Sequence, residues 1–209
     1  MQIEYFGGNC VKLSSKNINV VADDNLEDLG QTSVSKPDNI CIITNQEYIK
    51  KSPQCMFLAD RPGEYEVQNI SVKGIAVRSH IDKPEKRNAT LIRLVINDVK
   101  IAITGHVYPD LSEQQLEELG MIDVLIVPVG GNGYTLDGAG ALKIVKKIGP
   151  RIVIPTHYSD NKLNYEVPQA TLEEALKGLA MEPADTLDAL KIKGRDFEEG
   201  TKLIVLNRQ

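Results

Sequence analysis

The chain carries only three histidines, and each follows an apolar run. His80 comes after residues 70–77 (ISVKGIAV), His106 after 101–104 (IAIT) and His157 after 152–155 (IVIP). The ends of buried strands are well placed to meet a ligand. Imidazole is both the acid–base that works near neutral pH and the commonest metal-binding side chain. A lone histidine in such a place is ordinarily structural, but three out of three at the same topological position point to one site. Three imidazoles and a water are a donor set that a catalytic zinc accepts, and with three histidines in all, none is spare.

Other candidate chemistry is weaker. Glu64 and Glu66, in RPGEYEV, alternate onto one strand face, where a solvated surface accounts for them equally well. The segment VGGNGY (129–134) lies between a strand and a helix. Leu136 stands where a dinucleotide fingerprint needs its third glycine, and no Gly-Lys-Ser/Thr follows, so it reads as a tight turn with Asp137 capping the next helix. No Gly-x-Ser-x-Gly elbow supplies a serine nucleophile. Cys10 follows a glycine turn, but no sequence neighbour would lower its pKa, so it reads as a small buried hydrophobe.

The elements that must position these residues are legible as patterns. In the first half, short runs at 3–5, 10–13, 18–22, 40–44, 55–59 and 70–77 predict strands, and residues 27–39 read as a polar loop. Runs 90–96 and 99–103 flank Asn97-Asp98, a hairpin turn. The second half alternates strand and helix. Ser112 with Gln115, and Thr171 with Glu174, form capping boxes. Ala141, Ile144, Val145 and Ile148 recur at helical spacing, and Gly149-Pro150 ends that helix. Residues 124–129 are apolar on both faces, which predicts a strand covered by helices. Ile192 and 203–206 read as closing strands. No repeat or linker divides the 209 residues, so one α/β (α+β) domain over 1–209 is expected.

Composition narrows the function classes. The net charge is −5, and the basic cluster Lys143, Lys146, Lys147 and Arg151 reads as a solvated helix face. Nucleic acid is therefore not an expected partner. No apolar run approaches the roughly 18 residues that span a bilayer. The first residues, MQIE, are not those of a secretory signal. Three cysteines without a C-x-x-C pair fit a reducing compartment, so a cytoplasmic location is expected.

Several motifs together resemble the metallo-β-lactamase superfamily, in its compact lactonase-like branch of small prokaryotic hydrolases. They are the opening MQIEYFGGNC (1–10), the strand reaching an aspartate at 20–24, PGEYE (62–66), LSEQQLEELG (111–120), DVLIVPVGG (123–131) and IVIPTHY (152–158). The resemblance runs nearly end to end. It implies a four-layer αββα sandwich of two mixed sheets. It also implies a His-x-His-x-Asp-His segment after a strand, holding most ligands of a two-metal centre whose hydroxide attacks a carbonyl or phosphoryl group. Here the four ligand positions read Asn45, Glu47, Ile49 and Lys50. The remaining metal positions fall on His80, His106 and His157, with His106 where a bridging aspartate is expected.

The resemblance thus implies one divalent metal, zinc first among the candidates, or none. The expected function is a metal-dependent hydrolase with a mononuclear site, acting on a lactone, ester or phosphoester. Glu47 and Asp24 are the expected catalytic partners, with Asp23 as a second choice for Asp24. Tyr134 and Tyr158 are the expected substrate contacts. The alternative is a catalytically inactive binding or regulatory member of the fold. The partner is a small molecule in either case, and the sequence leaves the oligomeric state open.

Overall fold

The computed structural model describes residues 1–16, 18–194 and 197–209. Alternating burial along Gln2–Gly7 (β1), Cys10–Ser15 (β2) and Ile18–Ala22 (β3) makes an antiparallel meander. Ile40–Ile42 (β4) and Phe57–Ala59 (β5) then add in parallel. Gly63–Val67 (β6), Ile70–Val77 (β7), Ala89–Ile96 (β8) and Val99–Ile103 (β9) form a second antiparallel run. After the helix Glu113–Leu119 (α1), Val124–Pro128 (β10) lies parallel to β9. The helix Gly138–Ile148 (α2), strand Ile152–Thr156 (β11) and helix Leu172–Leu179 (α3) follow. Pro183–Leu187 (β12), Leu190–Lys191 (β13) and Lys202–Leu206 (β14) complete the described elements.

Two sheets result, ordered β13-β1-β2-β3-β4-β5 and β12-β14-β11-β10-β9-β8-β7-β6. Their facing sides share one apolar core that includes Ile3, Leu13, Ile40, Ile92, Ile101, Ile126 and Leu206. A second core lies between the outer face of the eight-stranded sheet and the helices, through Leu119, Val127, Ala141, Ile144 and Leu179. Each Leu, Ile or Val among them, fully buried, contributes roughly 1.5–3 kcal/mol. The fully buried β10 faces both cores, as its two-sided apolar run requires. Helices cover only the eight-stranded sheet among the described residues. Over the other sheet, Leu26 and Val34 of the polar 24–39 stretch pack on Cys10 and Val21.

Both capping boxes form, and Asp137 caps α2 with Gly149 left-handed at its end. The strands expected at 40–44 and 55–59 are shorter: β4 ends at Ile42 and Thr44 turns to Asp23, while β5 begins at Phe57. Strand β12 has no apolar alternation. It is an exposed edge strand that opens on a proline, paired only with β14, and such a strand carries no period for a pattern reading to find. The parallel pairings of β3 with β4, of β9 with β10 and of β10 with β11 bring the C-terminal ends of those strands to one rim, and the two antiparallel pairings through β8 bring the end of β7 there.

Candidate functional site

Every histidine lies on that rim, and two of them meet. The rings of His106 and His157 stand 5.0 Å apart, nearly perpendicular, and both are almost fully buried. His157 takes a left-handed backbone conformation while its N–H donates to the Gly8 carbonyl at 2.8 Å, joining the two sheets. Its Nδ1 lies 3.1 Å from Oε1 of Gln169, whose own amide nitrogen donates to the Val167 carbonyl. That second bond orients the amide, so Nδ1 of His157 carries the proton. His106 points Nδ1 at the Tyr134 carbonyl at 3.3 Å, and a carbonyl only accepts. Both imidazoles therefore keep a lone pair on Nε2. Gly130 permits this arrangement, since a Cβ there would collide with Gln169 and the His157 carbonyl.

Burial sets the protonation states. It pulls His157 down to about 4, and lowers His106 well below the ordinary range with the neighbouring His157 acting in the same direction. Taking charge out of water disfavours imidazolium, so both rings are neutral at pH 7. The same effect pushes Asp23 up to about 6, although Thr44 donates to its carboxylate from both N–H and Oγ1. Asp23, Thr44, His106 and His157 line a void of about 10 Å3, the room of a single water. Gly105 lets Thr44 approach, because a Cβ there would strike its side chain.

The segment that the resemblance reserves for ligands does something else. Asn45 caps a 3-10 turn, Gln46–Tyr48, and donates to Ser79. The turn lays the Tyr48 ring against His106, with centroids 4.0 Å apart. Glu47 is exposed and reaches Asn88 at 3.5 Å. Lys50 pairs with Glu166 at the surface. His80 does not join the other two rings. Its ring lies beside Tyr108, its Nδ1 is buried without a hydrogen-bond partner, and its N–H donates to the His106 carbonyl. Among the described residues no group of three His, Cys, Asp or Glu is arranged to hold a metal ion. The donors at this void are two imidazoles and the Asp23 carboxylate, whose two oxygens already accept from Thr44; two uncommitted donors are fewer than the three or four ligands of a zinc site, so the residues present do not fit the metal centre that the fold implies.

Two expected residues are placed elsewhere. Oδ2 of Asp24 accepts four hydrogen bonds of 2.6 to 2.9 Å from Ser33, Val34 and Ser35. It therefore organises the 33–35 loop, and Asp23 is the carboxylate turned to the site. Tyr158 donates its hydroxyl to the Leu206 carbonyl and packs on Tyr5, next to the left-handed His157. Tyr134 does reach the cleft, 5.0 Å from both Tyr48 and His106. Tyr165 takes the place expected of Tyr158, with its ring 5.2 Å from His157 and its hydroxyl between the Gly8 N–H and the Tyr158 carbonyl. Tyr48, Tyr165 and Gln169 were not legible as site residues. Tyr48 sits inside the segment already marked by its lost ligands, and that was the one signal available.

A family model described as the β-lactamase superfamily domain matches residues 2–157. The chain belongs to this superfamily. A UPF0173 protein of Pyrococcus abyssi is 26% identical over 179 residues, covering 76% of this chain and 83% of the relative. A protein of Archaeoglobus fulgidus named UPF0173 metal-dependent hydrolase is 30% identical over 103 residues, 49% of this chain and 38% of its own. Among solved structures, a Thermotoga maritima protein, described as a candidate Zn-dependent hydrolase of the metallo-β-lactamase superfamily, superposes with a TM-score of 0.77 at 24% identity. That match covers 99% of this chain and 98% of the other. The family resemblance and the mixed two-sheet fold read from the motifs are thereby established.

Proposed function

We propose that this chain is a binding member of the metallo-β-lactamase superfamily, taking a small ligand in the strand-end cleft without a metal centre. The observation that carries this reading is the Tyr48 ring, stacked at 4.0 Å on His106 from within the segment where the superfamily needs ligands. It covers one face of His106 with an aromatic ring that brings no metal-binding atom to the pair. Ligand recognition falls to what remains: aromatic faces, two neutral imidazoles and side-chain amides. Fold alone does not fix function, and the donor set of this particular site argues for binding.

A second reading is a metal-dependent hydrolase with a single metal, acting on a lactone, ester or phosphoester. Two observations support it. His80, His106 and His157 share one rim, and relatives carry metal-dependent hydrolase names. Metal content after purification without chelators, together with turnover of those three substrate classes in added zinc, manganese or iron, separates the two. The binding reading expects well under one equivalent of metal and no turnover. One equivalent retained, and lost in His106→Ala, would overturn it. No helix of the described residues is long and apolar enough to cross a membrane. Cys10, Cys41 and Cys55 are free thiols, which agrees with a reducing cytoplasm.

A further inference from the structure

The cleft has a chemical character that narrows its ligand. Its wall is a continuous run of rings: Tyr48 to Tyr134 at 5.0 Å, Tyr134 to His157 at 6.0 Å, and His157 to Tyr165 at 5.2 Å. All four line one cavity of about 70 Å3. The three tyrosines are half-buried, so each keeps part of its ring free for a ligand. The wall offers neutral π surface and no cation.

The charged side chains around this wall are mostly acidic. Asp28, Glu47 and Glu166 line the cavity against a single ammonium, Lys50. Glu47 is close enough to Tyr48, and Glu166 to Tyr134, to raise those phenols. Lys50 is tied to Glu166 at 3.2 Å, but both side chains are mostly exposed, and such a pair is easily exchanged. Aromatic faces attract cations through their quadrupole, and this attraction is most useful for weakly hydrated, alkylated ammonium groups. An anion would meet three carboxylates against the one ammonium of Lys50.

Size agrees with the same class. A cavity of 70 Å3 is about half of the roughly 150 Å3 that holds benzene, and far below a drug-sized site. On that benchmark it encloses about three heavy atoms, so a methylated ammonium head enters it in part, with the rest of the ligand in solvent. We infer that the cleft walled by Tyr48, Tyr134, His157 and Tyr165 binds the methylated ammonium head of a free small molecule, with Asp28, Glu47 and Glu166 supplying the negative field. This rests on the binding reading above and names its ligand class.

The test is titration of the full chain with choline, tetramethylammonium and the neutral choline isostere 3,3-dimethylbutanol. Binding is followed by calorimetry and by NMR of the tyrosine rings. Both cations are expected to bind at micromolar to millimolar concentration, and the alcohol at least tenfold more weakly. Tyr165→Leu is expected to weaken the cations about tenfold or more. Tyr134→Phe, which keeps the ring face, should bind more tightly than Tyr134→Leu. Lys50→Gln removes the competing ammonium and is expected to tighten cation binding several-fold at low salt. Thermal unfolding checks that each variant is folded. Equal affinity for the alcohol and the cations overturns the inference, and so does the absence of ring shifts up to about 50 mM tetramethylammonium, beyond the weakest useful binding. A parallel zinc titration distinguishes the two failures. Uptake of one zinc at the histidine pair overturns the binding reading itself, whereas binding of the alcohol without zinc uptake overturns only the ammonium assignment.

Discussion

Asp23→Asn tests the electrostatics of the site most directly. Asp23 is 6% exposed, and burial pushes its carboxyl from 3.8 up to about 6 in the folded chain. Its folded pKa exceeds its unfolded pKa, so its contribution to stability is fully present below 3.8 and is lost as pH rises through 6. At 1.36 kcal/mol per pKa unit, the loss between pH 4 and pH 8 is about 2–3 kcal/mol. Asparagine can still accept from the Thr44 N–H, and its amide can donate to Thr44 Oγ1, so the local bonds survive the change. His106 and His157 titrate in the same window with the opposite sign, and they cancel when the variant is compared with the parent at each pH. Urea unfolding of both proteins at pH 4 and pH 8 gives two stability differences. The expected result is that asparagine gains about 2–3 kcal/mol on the parent in going from pH 4 to pH 8. A change below about 1 kcal/mol would mean an ordinary carboxylate at position 23, and the account of a desolvated rim would be wrong.

The parent chain itself is expected to lose stability on acidification from about pH 6.5 toward 4. His157 is neutral when folded, with its pKa near 4, and contributes about 3 kcal/mol that disappears over that range, partly offset by Asp23; acid titration of the His157→Gln variant should be shallower. Gly130→Ala forces a Cβ into Gln169 and the His157 carbonyl and should cost about 1–3 kcal/mol as overpacking, read as a fall in Tm. Tyr48→His replaces the ring stacked on His106 with a third imidazole beside the pair, so zinc affinity by calorimetry should rise at least tenfold over the parent. Ser112→Ala removes one half of a capping box and should cost about 1 kcal/mol in urea unfolding, with no effect on ligand binding.

Much of the fold lay in local pattern. The capping boxes at Ser112 and Thr171, the Asn97-Asp98 turn and the two-faced apolar run of β10 each depend on near neighbours in the chain, so spacing alone reveals them. The terminal edge strand β12 was illegible because it buries little and pairs at one side only. The site divides in the same way. Loss of the ligand residues at 45, 47, 49 and 50 is a matter of residue type, and the position of the histidines at strand ends is a matter of element order.

By itself, then, the sequence determined the superfamily, the alternation of strand and helix, and the poverty of metal donors. Only the tertiary structure decided which residues the rim brings together. His80 turns to Tyr108 while His106 and His157 meet. Asp23 faces the site while Asp24 holds a loop. Tyr165, not Tyr158, flanks His157. The physical reason is range. Each of these outcomes turns on one backbone turn, such as the left-handed His157 or the Gln46–Tyr48 turn, and on contacts between residues far apart in the chain, such as Gly8 with His157 and Tyr165. Side-chain direction at a strand end depends on those contacts, and no spacing rule along the chain encodes them.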